Sequence, residues 1–290
     1  MKIIKDIIDD QERAFYGSQK TNFQNIQIMG PVDGESAFKE CRDIVVEDSL
    51  FDLRYPFWHN SFLAINNSHL TTNCRAALWY TNNVSMNESK VEGVKVFREC
   101  QKIKINESKI VSPEPFWFCH DLNIKDSTID GEYAFFKSEN IEIHNLTFKG
   151  KYSFQYVKNL TIYDSFLDTK DAFWHAENVT VVNSTITGAY LAWYGKNIKL
   201  VNCKIVGTQP ICYTDNIIFL TEFNGVEAFS TAADSQLTGT YSHRETTCKN
   251  CQNKNHRNDL FEHFYFPPRI FYKLQIRLYN HITFKIINQV

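Results

Sequence analysis

The chain has 290 residues, 43% hydrophobic and 22% charged, with a net charge of −2, the balance of an ordinary folded protein. No stretch approaches the ~18 apolar residues that span a bilayer, and the opening Met1-Lys2-Ile3-Ile4-Lys5-Asp6-Ile7-Ile8-Asp9-Asp10 is charged too early for a signal-peptide core. A cytoplasmic location without a membrane partner is therefore expected, and most of the eight cysteines should be free thiols.

From residue 44 onward one short motif recurs. Its marker is a serine or a close substitute at Ser49, Ser68, Ser89, Ser108, Ser127, Leu146, Ser165, Ser184 and Cys203, spaced by 19 residues except for 21 between Ser68 and Ser89. Apolar residues stand five and three positions before the marker and two after it, as Ile103, Ile105 and Ile110 do around Ser108. Apolar and polar positions alternate as in β-strands, and the β-branched content agrees. The period is too short for propeller blades or helical repeats. The pattern predicts an all-β parallel β-helix, a solenoid of about ten 19-residue coils over residues 1–225. Successive coils stack ~4.8 Å apart, and none can fold without its neighbours.

Further columns run through the repeat. Six before the marker stand Asp121, Asn140, Asn159, Asn178, Asn197 and Asn216, suited to left-handed corners and to an amide ladder along the axis. One before it, Asp48, Asn67, Glu88, Glu107, Asp126, Asn145, Asp164, Asn183 and Asn202 form a column too uniform for a local catalytic carboxylate pair. Four after it, Gly93, Gly131, Gly150, Gly188 and Gly207 predict positive-φ turns. Eight after it, Phe38, Phe57, Phe97, Phe116, Phe135, Phe154 and Phe173 predict an internal stack. Cys100 and Cys119 share a column on adjacent coils, within reach of a bridge, though a reducing compartment favours thiols. The sequons at Asn87, Asn106, Asn159 and Asn178 are by-products of the repeat.

If the phenylalanines point inward, alternation turns the next residues outward: Trp58, Ala77, Arg98, Trp117, Phe136, Gln155, Trp174 and Trp193. Such a stripe suits a sugar ring or a protein partner, with Trp58, Arg98, Trp117, Gln155, Trp174 and Trp193 as the binding residues; a loop or the terminal segment covering it would instead make a second core. One position further on, Glu40, His59, Leu78, Glu99, Phe118, Lys137, Tyr156, His175 and Tyr194 should turn inward. That is costly for ionisable groups unless they pair or the strand turns first. Two local clusters offer acid–base chemistry: His175 with Asp171, Lys170 and Tyr194, and His59 with Glu40, Glu99 and Arg54. Six coils separate the two histidines, about 29 Å, so they cannot share one active site.

After about residue 225 the columns stop. Residues 236–290 carry eight Lys or Arg against three Asp or Glu, leaving 23 against 30 for the rest, a balance of −7. An acidic coil is a poor nucleic-acid binder. The irregular 226–290 segment has three readings: a cap over the open coil end, a zinc site from His243, Cys248, Cys251 and His256, or a C-terminus replaced by a reading-frame change.

Distinctive words lie between the columns. They include Glu12-Arg13-Ala14-Phe15-Tyr16-Gly17, Asp33-Gly34-Glu35-Ser36-Ala37-Phe38-Lys39-Glu40-Cys41 and Leu53-Arg54-Tyr55-Pro56-Phe57-Trp58-His59. Others are Cys74-Arg75-Ala76-Ala77-Leu78-Trp79-Tyr80, Gly150-Lys151-Tyr152-Ser153-Phe154-Gln155-Tyr156, Asp168-Thr169-Lys170-Asp171-Ala172-Phe173-Trp174-His175 and Gly207-Thr208-Gln209-Pro210-Ile211-Cys212-Tyr213. Over about residues 12–218 the chain resembles a mainly bacterial β-helix family catalogued as domain of unknown function 3737. The resemblance implies a single-stranded right-handed parallel β-helix and no particular activity; after residue 220 the chain departs from the family pattern, in which the coils continue. The expected function is a cytoplasmic scaffold that binds a carbohydrate or protein partner along the stripe, without a cofactor. The alternatives are a carbohydrate-active lyase or hydrolase and self-association through a coil end.

Overall fold

A computed structural model of the chain describes residues 1–30 and 36–226, together with the strands Ser230–Thr231, Gln236–His243, Arg277–Leu278 and Ile282–Thr283; side chains are described to residue 218. The chain divides into two compact units, Met1–Lys151 and Tyr152–Val290. The division falls inside the repeat, whereas the side-chain pattern ends near residue 225.

In the first unit each coil after the first contributes a six-residue strand and a shorter one, such as Gln101–Asn106 and Lys109–Val111. Every strand pairs in parallel with its copies on the coils before and after: Ile103 lies between Val84 and Leu122, and Ile110 between Val91 and Ile129. These apolar columns fill the lumen, as their spacing predicts. The coils begin earlier than the marker serines do. Lys2–Lys5 pairs with Gln19–Gln24, and that strand with Arg42–Glu47. Ile7 and Ile26 hold the marker position there, which brings the count to about eleven turns rather than ten.

The marker serines are buried, and their hydroxyls hold the corners. Ser108 Oγ accepts the Ser89 backbone N–H at 3.1 Å and donates to the Asn106 carbonyl at 2.8 Å; the same pattern recurs at Ser49, Ser68 and Ser89. A buried backbone donor is thereby satisfied at each corner. The preceding residue is left-handed, with φ 51° at Asp48 and 47° at Glu88. Amides ladder across this column, Asn67 donating to Asp48 at 2.6 Å and Asn145 to Asp126 at 2.7 Å. The structural role expected for these carboxylates holds.

The phenylalanine column is internal. Phe97, Phe116 and Phe135 are fully buried and stack at 4.8 and 4.7 Å. Of the five column glycines, Gly93 and Gly188 have the positive φ the sequence implies, whereas the others do not, and a Cβ on Gly131 would lie 2.2 Å from the Ser112 carbonyl oxygen. Close approach of the neighbouring coil, more than handedness, selects the residue. Cys100 and Cys119 are free thiols, donating to the carbonyls of Leu78 and Phe97.

In the second unit, Lys158–Tyr163, Glu177–Val182 and Lys196–Thr208 pair in the same parallel register. Asn178, Asn197 and Asn216 each donate to the amide oxygen of the coil before, at 3.0, 2.8 and 2.7 Å, and all three are left-handed. The ladder inferred from the spacing is therefore formed. Backbone pairing outlasts the apolar columns: Gln236–His243 runs parallel to residues 218–225. No helix among the described residues is long and apolar enough to cross a membrane.

Candidate functional site

The outer face is shaped by an unusual backbone rhythm. Within one coil Asp171, Phe173 and His175 are left-handed at φ 56°, 60° and 52°, and Tyr190, Ala192 and Tyr194 repeat this one coil later at 61°, 57° and 57°. Each such residue costs roughly 1–2 kcal/mol in isolation, so neighbouring coils must hold it in place. They do so through bonds such as His175 N–H to the Trp193 carbonyl and Tyr194 N–H to that of Cys212, both 3.0 Å. Strict alternation fails as a result. The phenylalanine position points in, the next residue is half-buried, and the one after that points out. The inward orientation expected for Glu40, His59, Glu99 and His175 is corrected: the backbone has turned, and all four are exposed.

In the first unit, two extra residues fall between Thr71 and Arg75, since Phe51 aligns with Leu70 while Tyr55 and Phe57 donate to the carbonyls of Arg75 and Ala77. The frame shifts by two there. Trp79, not Ala77, joins the stripe, and Ala77 and Leu78 enter the core. Trp58 and Trp79 stack at 5.3 Å with planes 3° apart. The Arg98 guanidinium is clamped between Trp79 at 4.9 Å and Trp117 at 4.6 Å, and pairs with Glu114 at 3.3 Å. Indole N–H groups donate to carbonyls on the next coil: Trp58 to Ala76, Trp79 to Lys95, Trp117 to Tyr133. The faces of Trp79 and Arg98 are thus spent on neighbours along the axis. The histidine and carboxylate of the second cluster turn to other partners: Glu40 accepts the Tyr16 hydroxyl at 2.5 Å and His59 stacks on Tyr80 at 4.8 Å.

In the second unit, Trp174 and Trp193 stack at 5.7 Å, 1° from parallel, with their N–H groups on the carbonyls of Tyr190 and Gln209. Gln155 is half-buried in the same column. Beside them stands a second ladder, Tyr156–His175–Tyr194–Tyr213, at centroid spacings of 4.9, 5.1 and 5.0 Å with planes within 10° of parallel. Its tyrosines are 42%, 45% and 58% exposed. His175 and Tyr194 do come together, as neighbours in a stack. Asp171 is buried, which raises its carboxyl above the usual range against the pull of Lys170, 4.0 Å away. No hydrogen bond joins Asp171 to His175, and Lys170 lies over the Tyr190 ring at 5.2 Å. The imidazole has tyrosine faces for partners rather than a carboxylate, so the pair lacks the geometry of an oriented general base. Tyr80 and Tyr213 escaped the sequence reading, the first through the shifted frame and the second because the column was not followed past Tyr194.

Among the described residues no three His, Cys, Asp or Glu could share a metal ion. His243 closes the strand Gln236–His243, while Cys248, Cys251 and His256 lie outside the described residues.

A family profile for a protein of unknown function, DUF3737, matches residues 2–230. The chain belongs to the DUF3737 family. The match takes in the coils of Ile7 and Ile26 and reaches beyond residue 218. No curated protein matches this DUF3737 chain in sequence. It is similar to solved structures that include these three. One is PfbA, a surface adhesin of Streptococcus pneumoniae, at 10% identity over 93% of this chain and 78% of that one, TM-score 0.37. Another is the A-module of the Azotobacter vinelandii mannuronan C-5 epimerase AlgE4, at 9% identity over 84% and 88%, TM-score 0.40. The third is tailspike protein 3 of bacteriophage CBA120, at 12% identity over 83% and 50%, TM-score 0.36. Similarity this distant carries no argument about activity.

Proposed function

We propose that this DUF3737 protein binds a linear, hydroxyl-rich polymer, a polysaccharide laid along the coil axis on the tyrosine–histidine ladder of the second unit. One observation carries the reading: four rings recur about every 5 Å, with the three tyrosines 42–58% exposed. Because neighbouring faces stack on one another, solvent meets mainly phenol hydroxyls and ring edges, a comb of hydrogen-bonding groups over an apolar wall. A ligand rich in hydroxyls offers both donors and acceptors to such a comb. The stack also holds the side chains in place, so binding avoids much of the ~0.5–1.5 kcal/mol per side chain otherwise lost to ordering.

An extended peptide fits this array less well. Side chains on one face of a strand recur about every 6.7 Å, out of step with rings about 5 Å apart. A role in binding rather than turnover is favoured because His175 lacks a carboxylate partner.

The test is Tyr194→Phe, which keeps the stacked ring and removes the hydroxyl. Against a panel of neutral hexasaccharides of gluco, galacto and manno configuration, calorimetry should find one configuration whose affinity the variant lowers about fivefold, the worth of one net hydrogen bond. Binding to none of the panel, or equal affinity in the variant, would sink the proposal; capture of an extended peptide that Tyr194→Ala abolishes would replace it with the protein-partner reading.

A further inference from the structure

The first unit carries a separate polar groove, remote in character from the aromatic ladders. It has a volume of about 430 Å³ and runs over four coils at the marker corner, from Asn25 to Lys90. Ligand sites fall at roughly 300–1,000 Å³. Its floor includes Ser49 and Ser68, whose hydroxyls are already committed to the backbone. The floor thus has no free donor, and the walls must supply any hydrogen bond donated to a ligand.

One wall is the column just before the marker, and here its ladder breaks. Asn67 donates its amide to Asp48 at 2.6 Å, which directs its own oxygen towards the next coil. That coil presents Glu88, an exposed carboxylate that cannot donate and whose oxygens make no hydrogen bond or ion pair among the described residues. Asp48, Asn67 and Glu88 thus form a run of acceptors with no donor between Asn67 and Glu88. The opposite wall supplies donors as well. Lys90 bonds Glu92 at 2.9 Å and keeps further ammonium protons, while His69 bonds Glu92 at 2.8 Å through Nε2, which leaves Nδ1 of the neutral imidazole as an acceptor. Leu50 lies beside them as an apolar step.

A ligand for this groove has to donate to one wall, accept from the other and rest a carbon face on Leu50. A hydroxyl does the first two at once, and a sugar ring supplies the third. Charge narrows the class. Lys90 is already paired with Glu92, so Asp48 and Glu88 leave the groove net acidic, and an anionic sugar would set like charges together. We infer that this groove is a binding site for a short neutral saccharide of one to three rings, held between Asp48, Asn67 and Glu88 on one wall and His69 and Lys90 on the other. The inference does not rest on the polymer reading of the second unit; the two sites share no residue.

The experiment is saturation-transfer NMR and calorimetry on the full chain, with neutral trisaccharides of gluco, galacto and manno configuration and a matched uronic-acid trisaccharide. Glu88→Lys, Glu88→Gln and His69→Ala are compared with Tyr194→Phe, and thermal melts confirm that each variant folds. At least one neutral trisaccharide is expected to bind in the groove, with affinity about tenfold lower in Glu88→Lys and weakened in Glu88→Gln and His69→Ala; this component should persist in Tyr194→Phe, which alters only the component owed to the ladder, and the uronic-acid probe should not bind in the groove. Neutral binding that the Glu88 variants leave intact, uronic-acid binding as tight as neutral, or no binding of any neutral probe would each overturn the inference. Loss of hexasaccharide binding in Tyr194→Phe alone speaks only to the ladder of the second unit.

Discussion

Arg98 interrupts a column of indoles, and its replacement tests how the outer stripe of the first unit is held. The guanidinium lies 4.9 Å from Trp79 and 4.6 Å from Trp117, its side chain is 17% exposed, and Glu114 pairs with it at 3.3 Å. A cation–π contact is worth roughly 0.5–1 kcal/mol when exposed and about 2 kcal/mol when desolvated. Two contacts at this burial give about 2–3 kcal/mol, and the partly exposed ion pair adds about 0–1 kcal/mol. Arg98→Ala should therefore destabilise the fold by about 2–3 kcal/mol. Arg98→Lys retains the charge but not the planar group that fills the gap between two indoles, so it should still cost ~1–2 kcal/mol. Arg98→Trp continues the column and should cost least. Urea unfolding followed by circular dichroism and tryptophan fluorescence reads these values from the midpoint, provided the slope stays common to all variants. The loss should also persist between about 0.05 M and 1 M NaCl, since the clamped group is shielded from screening. A cost under ~0.5 kcal/mol for Arg98→Ala, or wild-type stability for Arg98→Lys, would refute the clamp as a stabilising element.

Three further outcomes are expected. Ser108→Ala leaves the buried Ser89 N–H without its acceptor and should cost about 1–3 kcal/mol, measurable in the same urea series; a neutral substitution would remove the serine ladder from the account. Asp171 has a raised folded-state carboxyl, so the stability tied to its protonated form is present below the unfolded-state value and lost as pH rises through the folded-state one. Asp171→Asn, which tolerates the same left-handed backbone, should therefore melt higher than wild type at neutral pH, with the advantage vanishing in acid; a gain that grows on acidification would show the sign to be wrong. Burial pushes the Cys41 and Cys74 thiols up to about 12, so alkylation near pH 8, mapped by mass spectrometry, should run about 10³-fold slower at these sites than at a free cysteine. Rapid native-state labelling of either would contradict their placement in the lumen.

The fold was largely legible because a solenoid writes the same constraint once per coil. Nine marker residues with apolar partners on either side determine strands, register and lumen, and the asparagine ladders followed from residue type and spacing alone. The coils of Ile7 and Ile26 lay within the expected solenoid but outside the marker column, because the serine is absent there and 23 residues separate Ile26 from Ser49. The candidate site was less legible for a backbone reason. Period-2 logic assumes extended φ, whereas Phe173 and His175 are both left-handed, and that conformation turns His175 and Tyr194 outward into a ladder instead of inward into polar pairs. Trp79 was lost to a two-residue shift that only the pairing of neighbouring coils resolves. Beyond residue 225 backbone hydrogen bonds carry Gln236–His243 into register, an interaction that leaves little trace in side-chain patterning.

The central claim is that the ladder of the second unit acts as an extended comb for a hydroxyl-rich chain. Its four rings, spaced by 4.9, 5.1 and 5.0 Å, span about 15 Å, so affinity should depend on ligand length. The deciding measurement is a calorimetric titration with oligosaccharides of the preferred configuration, from the monosaccharide upward. The account predicts that affinity rises with each added sugar until the ladder is spanned and then levels off, with Tyr194→Phe flattening the rise. Affinity independent of length, or a length dependence that Tyr194→Phe leaves untouched, would contradict it.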